Sequence, residues 1–484
     1  MLGRRRFIAG SLAASGALAF SRHLPSVNAQ EGYDYRFGMN AILPDGFDLN
    51  QIPALPWTKL ATGSGARSNR WELRWDRTQR EPGQGDWHVA DWVVSENERY
   101  RISLTMVLNG TPRWARTVED LAISPPINLD QPAVLPNGVA NPDNPWATFA
   151  YTAARRYRGR VFGWEIWNEP NLGTFWTGTP FQYYQLLKAG YLAIKAADPN
   201  ARVLMGGMSG AGLEFVRELV SIILQDPEWK RYDGFFDIFS WHGYTRPATI
   251  FEYTNTYRTF LGASGLAKPV WIGETGVPAW DDPMVTRGAP VPFGEGATQE
   301  EQAHFVVHAY AYGLAAGARR ISLYRASDVG EVANPGLPDT VVPGWGAVRL
   351  DGSGRPSYAA YQLLVTLLKG SALRQMERGD GFDRISFQAP GRDVHILFAV
   401  GAGGHKAQAP AFRSDRAVLI DLSGVAIPIM ARNRHFSVDL WGSENQLGRN
   451  SDPVVSGPPV IILDGNAPGI PAGGGPFKVQ PYSA

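Results

Sequence analysis

The 484-residue sequence contains no cysteine, which excludes disulfide bonds and thiolate metal sites and fits a chain that folds before export. The formal net charge is only +1, so the composition does not indicate a nucleic acid or an anionic surface as partner. Aromatic residues, in contrast, are frequent: they make up 12% of the chain, with 16 tryptophans. We expect most of them in the core, although tryptophan faces also stack on sugar rings, which weakly favours a carbohydrate ligand.

The N-terminus has the pattern of a twin-arginine targeting segment. Arginines at positions 4–6 precede a mildly apolar stretch, Ile8–Phe20, and small residues at Val27–Ala29 stand at the usual cleavage spacing. We therefore expect residues 1–29 to be removed and the mature chain to begin near Gln30. The alternative is an uncleaved membrane anchor, but the 13 residues of the apolar stretch are too few to span a bilayer comfortably. No later segment of the sequence is long and apolar enough to span one. The sequence predicts twin-arginine export to the periplasm or the exterior.

Short apolar runs alternate with helix-like stretches from Tyr35 to about Lys369. Eight runs are candidate strands: Arg36–Met39, Ser68–Leu73, Ser103–Leu108, Phe162–Ile166, Arg202–Met205, Ile238–Trp241, Val270–Ile272 and Ile321–Tyr324. Apolar residues recur at helical spacing between the strands, at Ala90–Tyr100, Ala147–Tyr157, Phe181–Ala197 and Glu214–Leu224. A further long helix is predicted to begin after Thr298, with Glu301 completing its N-terminal cap, and to end before Gly317. Eight strand–helix units predict an α/β fold, the (β/α)8 TIM barrel, over residues 30–369.

After Lys369 the pattern changes to strands separated by glycine, proline and aspartate turns. The candidate strands are Asp383–Phe387, Val394–Val400, Ala417–Leu422 and Val460–Leu463. They predict a small C-terminal antiparallel β-sandwich domain, residues 370–465, followed by a Pro/Gly-rich irregular tail, 466–484. The alternative is that its first strand comes from Tyr33–Arg36.

Two glutamates stand where predicted strands end. Glu169 follows Trp164-Glu165-Ile166-Trp167-Asn168, and Glu274 follows Val270-Trp271-Ile272-Gly273. Because parallel strand ends can face one cleft, the two carboxyls have the placement needed to cleave a glycosidic bond, one as acid and the other as nucleophile. An isolated Asn-Glu-Pro would more often be a surface ion pair, but the second glutamate favours the catalytic interpretation.

The residues around each glutamate indicate how it would work. Pro170 disfavours helical geometry at Glu169, which predicts an extended backbone that holds the carboxyl at the rim. A carboxylate about 5 Å away would raise the pKa of one of the pair, and we expect Glu169 to be the protonated acid. Tyr244 is the candidate hydrogen-bond donor to Glu274. His242 either lines the same cleft or is a satisfied core histidine.

These residues resemble the retaining glycoside hydrolases of clan A, most closely family 39 and its relatives. The resemblance covers roughly residues 36–369, and its motifs occur in family order: Arg70-Trp71-Glu72-Leu73-Arg74-Trp75, Glu81-Pro82-Gly83-Gln84-Gly85-Asp86-Trp87, Gly110-Thr111-Pro112-Arg113-Trp114-Ala115, Trp167-Asn168-Glu169-Pro170-Asn171, His242-Gly243-Tyr244 and Trp271-Ile272-Gly273-Glu274-Thr275-Gly276. Each motif alone is weak, whereas together they are specific.

The resemblance implies Glu169 as acid/base and Glu274 as nucleophile, with no cofactor. It also implies Asn168 as the partner of the sugar 2-hydroxyl, Tyr244 as the partner of the nucleophile, and Arg70 as the arginine that reaches toward it. The alternative for Arg70 is a structural ion pair with a barrel carboxylate such as Glu72. For the β domain, the resemblance implies an accessory role, packed against the barrel.

The chain departs from the broader clan at two strand ends. Asn109 stands where many members carry histidine, and Tyr324 stands where many carry tryptophan, so Tyr324 is the candidate stacking platform for the sugar. Arg325 beside it hints at an acidic sugar, although pairing with Asp328 is the favoured interpretation.

Four tryptophans in predicted loops are further candidates for stacking on a sugar ring. Each could equally well be a core residue: Trp114, Trp176, Trp280 and Trp345. The Pro-rich segment Leu121–Pro145 is a candidate wall of the cleft.

Three alternative functions stay open at this point. A non-catalytic carbohydrate-binding protein would usually have lost one of the glutamates, whereas a transglycosylase would keep both. A metal-dependent enzyme is disfavoured, because no His/Asp/Glu set occurs at ligand spacing. The sequence does not identify the sugar, the choice between chain-end and internal cleavage, or the oligomeric state.

Overall fold

The structure is a computed structural model that describes residues 33–41, 57–119, 121–210, 212–244, 246–286, 296–328, 331–332, 340–443 and 454–466. The predicted targeting segment and the predicted tail after residue 466 lie outside these residues. The described residues from Asp34 onward belong to one compact unit. No helix within the described ranges has the length and apolar character that crossing a bilayer requires.

Eight parallel strands close into a barrel in chain order, which confirms the predicted TIM barrel. They are β1 Phe37–Asn40, β2 Ser68–Arg74, β3 Ser103–Asn109, β4 Gly163–Asn168, β5 Arg202–Ser209, β6 Ile238–Tyr244, β7 Val270–Gly276 and β8 Arg320–Leu323. The helices around it are α1 Trp57–Gly63, α2 Trp75–Thr78, α3 His88–Arg99, α4 Pro145–Arg156, α5 Pro180–Ala197, α6 Leu213–Gln225, α7 Pro247–Ala263, α8 Gln299–Ala315 and α9 Pro356–Leu368. A two-stranded ribbon, β9 Glu331–Val332 and β10 Thr340–Val341, follows β8.

The long helix α8 begins and ends where the sequence predicts. The Thr298 hydroxyl accepts the backbone N–H of Glu301, and the Glu301 carboxylate accepts the backbone N–H of Thr298 at 2.8 Å, so two otherwise unpaired donors are satisfied. Gly317 has a φ of +82°, a left-handed conformation that costs glycine little and ends the helix.

Several barrel strands extend further toward their carboxyl ends than the apolar runs predict. β6 continues to Tyr244 and β7 continues to Gly276. Glu274 therefore lies within β7, close to its carboxyl end, rather than beyond the strand. His242, Tyr244 and Glu274 continue the strand pairing, and their side chains hydrogen-bond within the mouth of the barrel. Glycine makes the room: a Cβ on Gly207 would lie 2.0 Å from His242 Nε2.

The C-terminal region is the predicted antiparallel β domain. Its strands are β11 Ala372–Arg378, β12 Phe382–Ala389, β13 Arg392–Ala399, β14 His405–Pro410, β15 Arg416–Ile420, β16 Ala426–Met430, β17 His435–Leu440 and β18 Val460–Gly465. Six form one sheet in the order β11-β12-β13-β18-β15-β16, and β14 pairs with β17 in a second sheet. Buried side chains of both sheets share one apolar cluster.

The suggestion that Tyr33–Arg36 supplies the first strand is wrong, because these residues form a turn and β11 is the first strand. The Arg36 guanidinium instead donates to two carbonyls at and just beyond the end of α9, Leu368 O at 3.1 Å and Ser371 O at 2.7 Å.

The β domain packs against α8 and α9, as expected. On α8, the Tyr312 hydroxyl donates to Asp383, and the His308 ring lies 4.0 Å from the Phe398 ring, centroid to centroid. The Arg392 guanidinium donates to the carbonyls of Thr366 and Leu367 near the end of α9. This interface lies on helices outside the barrel strands.

Candidate active site

Glu169 and Glu274 meet at the carboxyl end of the barrel. Glu169 directly follows β4, while Glu274 lies in β7 in register with His242 of β6. One oxygen of each carboxylate and one ring nitrogen of His242 all lie within 4.8 Å of one another. Both glutamates are only 8% exposed, so the two carboxyls are largely withdrawn from bulk solvent.

The backbone at Glu169 is left-handed, with a φ of +42°, and the expected extended conformation is wrong. Its N–H donates to Gly207 O at 2.9 Å on the neighbouring strand, and this bond offsets the extended preference that Pro170 imposes. Trp167, two residues earlier, is also left-handed, with a φ of +71°. Such backbone strain costs on the order of 1–3 kcal/mol per residue and persists where packing over-determines it. The turn directs the Glu169 carboxylate toward β6.

Glu274 is surrounded by hydrogen-bond donors. Arg70 Nη1 lies 2.6 Å from Oε1, and the Tyr244 hydroxyl donates to Oε2. Burial raises the pKa of Glu274, but the charges of His242 and Arg70 and the Tyr244 hydrogen bond outweigh it, so the net pKa is below the usual range. Glu274 is therefore ionised at neutral pH, as a nucleophile must be.

Arg70 connects the site's polar groups through one guanidinium. It donates to Glu165 through Nε and Nη2, both at 3.0 Å, and to Asn168 Oδ1 at 2.8 Å, in addition to Glu274. The suggested ion pair with Glu72 is thus replaced by one with Glu165. Burial lowers the pKa of Arg70, but the negative charges of Glu165 and Glu274 raise it by more than burial lowers it. The net pKa is therefore above its usual range.

Sequence reasoning missed Glu165. It lies four residues before Glu169 on β4, is 1% exposed, and also accepts the Gly207 N–H at 2.7 Å. The available signal was a charged residue inside an otherwise apolar strand, which requires a buried partner of opposite charge.

His242 lies between the two glutamates and also belongs to the buried interior. Its Nδ1 is 2.9 Å from Glu169 Oε1 and 3.4 Å from Glu274 Oε2. Burial lowers the pKa of His242, yet the Glu274 charge and the Glu169 hydrogen bond raise it more, so its net pKa is above the usual value. The two carboxylates therefore favour the protonated form of the imidazole between them.

Three aromatic rings lie beside Glu274, the predicted nucleophile. The Tyr324 ring lies 5.8 Å from the Tyr244 ring and 5.5 Å from the Trp345 ring, each edge to face. Tyr244 and Trp345 are also edge to face, at 5.5 Å. Tyr324 thus lies beside Tyr244, the hydroxyl partner of Glu274, and its role as a sugar platform stays a prediction.

The other predicted site residues are placed differently. Trp176 is 2% exposed and packs edge to face on Trp167, so its ring is a core residue in this structure, whereas Trp280 is 51% exposed. Trp114 is half-buried and donates its indole N–H to Gln79 O at 3.1 Å. Asn109 is buried at the end of β3, and its Oδ1 has no hydrogen-bond partner among the residues that the structure describes.

Glu169, His242 and Glu274 form a set of metal-ligand type, which the sequence spacing did not reveal because each comes from a different strand. The donor atoms suit a divalent cation. However, Arg70 and Tyr244 already occupy the two oxygens of Glu274, and the guanidinium charge opposes a second cation there. The arrangement fits proton transfer and nucleophilic attack better than metal binding.

No protein-family model matches this chain, and no curated protein matches it by sequence. Solved structures do. A family 39 glycoside hydrolase from the gut symbiont Bacteroides cellulosilyticus WH2 is similar with a TM-score of 0.64 at 18% identity, covering 89% of this chain and 81% of that one. A glucosidase from Croceicoccus marinus (TM-score 0.57, 14% identity) covers 90% of this chain and 96% of its own. A monomeric β-xylosidase from Caulobacter crescentus CB15 (TM-score 0.55, 17% identity) has the same two coverages.

These likenesses extend over the barrel and the β domain together, since about nine-tenths of the chain is covered. The chain therefore has the fold of the clan A glycoside hydrolases, the group that its motifs resemble.

Proposed function

We propose that this protein is a retaining glycosidase that cleaves a β-linked oligo- or polysaccharide. The observation that carries the proposal is the approach of a Glu169 oxygen to a Glu274 oxygen within 4.8 Å. Retaining glycosidases place their carboxyls about 5–5.5 Å apart, whereas inverting ones need roughly 6.5–9.5 Å to admit a water molecule. The two carboxyls here are too close for an inverting arrangement.

The mechanism we propose begins with attack of the Glu274 carboxylate on the anomeric carbon. The bond to the leaving oxygen breaks as Glu169 protonates that oxygen, and a covalent glycosyl-enzyme forms. Glu169 then takes a proton from water, which attacks the same carbon, releases Glu274 and restores the original configuration. The chemistry needs two carboxyls and water.

The surrounding residues would each support one step. Arg70 and Tyr244 hold Glu274 ionised and orient it. Because Arg70 occupies Asn168 Oδ1, the amide NH2 of Asn168 is left as a donor for the hydroxyl beside the reacting carbon. His242 Nδ1 lies 2.9 Å from Glu169 Oε1, within hydrogen-bond reach for exchanging a proton with the acid.

We also propose that the protein is exported from the cytoplasm. Arginines at positions 4–6 and the small residues at 27–29 support export by the twin-arginine route, which would bring the enzyme to a glycan outside the cytoplasm.

The proposal is tested by incubating the purified protein, beside its Glu274→Gln variant, with a panel of β-linked oligosaccharides and polysaccharides. We expect the unaltered protein alone to release sugar, and the product lengths to distinguish chain-end from internal cleavage. Binding without release would favour a carbohydrate-binding protein, and products longer than the substrate would favour a transglycosylase. EDTA is the metal control: loss of release in its presence would contradict the mechanism.

Tyr244→Phe is expected to move the acid limb of the kcat/KM pH profile upward by about one pH unit. The hydroxyl lowers the pKa of Glu274, so its loss raises that pKa, and Glu274 becomes protonated at a higher pH. The limb is read from initial rates between pH 3 and pH 8.

Tyr183→Phe is the matched control. The Tyr183 hydroxyl donates to Ile166 O and accepts from Gly206 N–H, both at 2.8 Å, and contacts neither glutamate. This variant is expected to lose stability with an unchanged limb. If the limb of Tyr244→Phe stays where it is in the unaltered protein, Tyr244 does not control Glu274.

A further inference from the structure

A cluster of paired charges joins three loops at the carboxyl end of the barrel, and we name it the rim cluster. Its members come from the loop after β7, the loop after β8 and the segment before α9: Asp282, Asp328, Arg349 and Arg355. Arg355 connects the two aspartates, with Nε 2.7 Å from Asp282 Oδ2 and Nη2 2.6 Å from Asp328 Oδ2. The ion pair between Arg325 and Asp328 that the sequence favoured is wrong, because Arg355 takes that place.

The centre of the rim cluster is closed to water. The side chains of Asp282 and Arg355 are fully buried, and that of Asp328 is 1% exposed. Burial raises the pKa of Asp282, but the Met284 N–H and the neighbouring guanidiniums lower it by more, so the net pKa is below the usual range. Buried ion pairs give little net stability compared with apolar residues of the same volume, whereas their directional bonds restrict how the chain is arranged. The rim cluster is therefore suited to fixing the loops that it joins.

The segment that the rim cluster fixes carries Trp345. Gly346, the next residue, has both backbone polar groups on the cluster: its N–H donates to Asp328 Oδ1 at 2.7 Å, and its carbonyl accepts from Arg355 Nη1 at 2.5 Å. The Arg355 N–H also donates to Ala347 O at 2.8 Å. Space is restricted as well, because a Cβ on Gly346 would lie 2.2 Å from Asp328 N. The position of Trp345 thus depends on the rim cluster through the residue that follows it.

Trp345 in turn packs against the tyrosine that binds Glu274. Its ring lies 5.5 Å from the Tyr244 ring, edge to face, and the Tyr324 ring lies 5.8 Å from Tyr244. Tyr324 is tied to β7, since its N–H donates to Thr275 O at 2.7 Å. Trp345 lies outside the barrel strands, so the rim cluster determines this second wall beside the Tyr244 ring.

We propose that the rim cluster positions the nucleophile: it holds Trp345 against Tyr244 and so keeps the Tyr244 hydroxyl on Glu274. This role rests on the proposed glycosidase function. The groups that face Glu274 directly are not members of the cluster: Glu169, His242, Arg70, Tyr244 and Arg325. If the cluster loosens, the Tyr244 hydroxyl withdraws from Glu274, which then takes up a proton more easily. A role in stability alone would leave the ionisation of Glu274 unchanged.

The test is the acid limb of the kcat/KM pH profile in Asp328→Asn and Arg355→Lys. Asparagine keeps the shape of Asp328 without its charge, and lysine keeps the charge of Arg355 without its fork of donors. We expect both variants to move the limb upward by about half a pH unit, the direction expected of Tyr244→Phe, with kcat/KM at the optimum lowered about tenfold. Added to Tyr244→Phe, Asp328→Asn should move the limb no further, because the bond that it acts through is already absent.

Trp345 provides a second route that leaves the buried charges in place. Trp345→Ala removes the ring of a half-buried residue and is expected to move the limb at least as far as Asp328→Asn does. Trp345→Phe keeps an aromatic edge beside Tyr244 and should restore most of the original profile.

Asp383→Asn is the matched control, since Asp383 is 2% exposed, as Asp328 is, and accepts from Tyr312 and Arg378 in the β-domain interface. It should lower the Tm and leave the limb in place. An unmoved limb in both cluster variants, or further movement when Asp328→Asn is added to Tyr244→Phe, would overturn the proposal. If the unaltered protein cleaves no glycoside, the glycosidase function fails separately. Carbon-13 NMR titration of the Glu274 carboxyl, identified as the signal lost in Glu274→Gln, then makes the same comparison without turnover.

Discussion

Replacing Glu274 with glutamine is expected to lower kcat on every cleavable glycoside by at least about 10⁴-fold, the scale seen when a catalytic nucleophile is removed. Glutamine keeps the shape of the side chain but cannot form a stable ester with the anomeric carbon. The loss should not depend on the leaving group, because the nucleophile is needed before any bond breaks. Initial rates on aryl glycosides and on the natural oligosaccharide measure it.

Glu274→Ala offers a sharper version of the same test. The shortened side chain leaves space beside Arg70 and Tyr244 for a small anion, so azide is expected to restore turnover of an activated aryl glycoside and to give a glycosyl azide of inverted configuration. Glu214→Gln on α6, an exposed carboxylate paired with Arg217, is the control and should keep full activity. Turnover of Glu274→Gln within tenfold of the unaltered protein would remove Glu274 from the mechanism.

Replacing Glu169 with alanine is expected to act unequally on two kinds of substrate. For glycosides with poor leaving groups, kcat/KM should fall by about 10²- to 10⁴-fold, because no acid protonates the departing oxygen. For a dinitrophenyl glycoside, which needs no acid, the first step should persist. Hydrolysis of the glycosyl-enzyme then becomes slow, since no base activates water, so a burst of dinitrophenol is expected. Stopped-flow absorbance measures the burst, and mass spectrometry measures the accumulated adduct.

The two substrates act as controls for each other in that experiment. A folding defect would lower both rates by the same factor. Equal losses on the dinitrophenyl glycoside and on the natural oligosaccharide, with no burst, would therefore contradict the acid/base role of Glu169.

The sequence was sufficient for the barrel and for its two glutamates. Alternating apolar runs and helical stretches predict the eight strands, and Glu169 and Glu274 follow two of those runs, so their convergence at one end follows from the parallel topology. The capping pair Thr298 and Glu301 can be predicted equally well, because the two residues are only three positions apart in the sequence.

What the sequence left open depends on contacts between distant strands. The position of His242 between two carboxylates follows from the β6–β7 register and from the space at Gly207. Glu165 was overlooked as Arg70's partner because the two are separated by 95 positions. Local spacing suggested Asp328 for Arg325, but Arg355 binds that carboxylate instead.

The left-handed turn at Glu169 was missed for a related reason. Pro170 acts locally and favours an extended residue before it, whereas the bond from Glu169 N–H to Gly207 O comes from a neighbouring strand and determines the outcome. In the β domain, the missed strands β11, β14, β16 and β17 include many exposed or polar residues, so their pairing partners rather than their own hydrophobicity define them.

The most direct measurement of the central claim is the anomeric configuration of the first sugar released, followed by proton NMR before mutarotation mixes the anomers. The approach of one Glu169 oxygen to one Glu274 oxygen within 4.8 Å predicts that a β-glycoside gives the β-anomer first, through a covalent intermediate on Glu274. Initial release of the α-anomer would mean direct attack by water and would contradict the double-displacement mechanism.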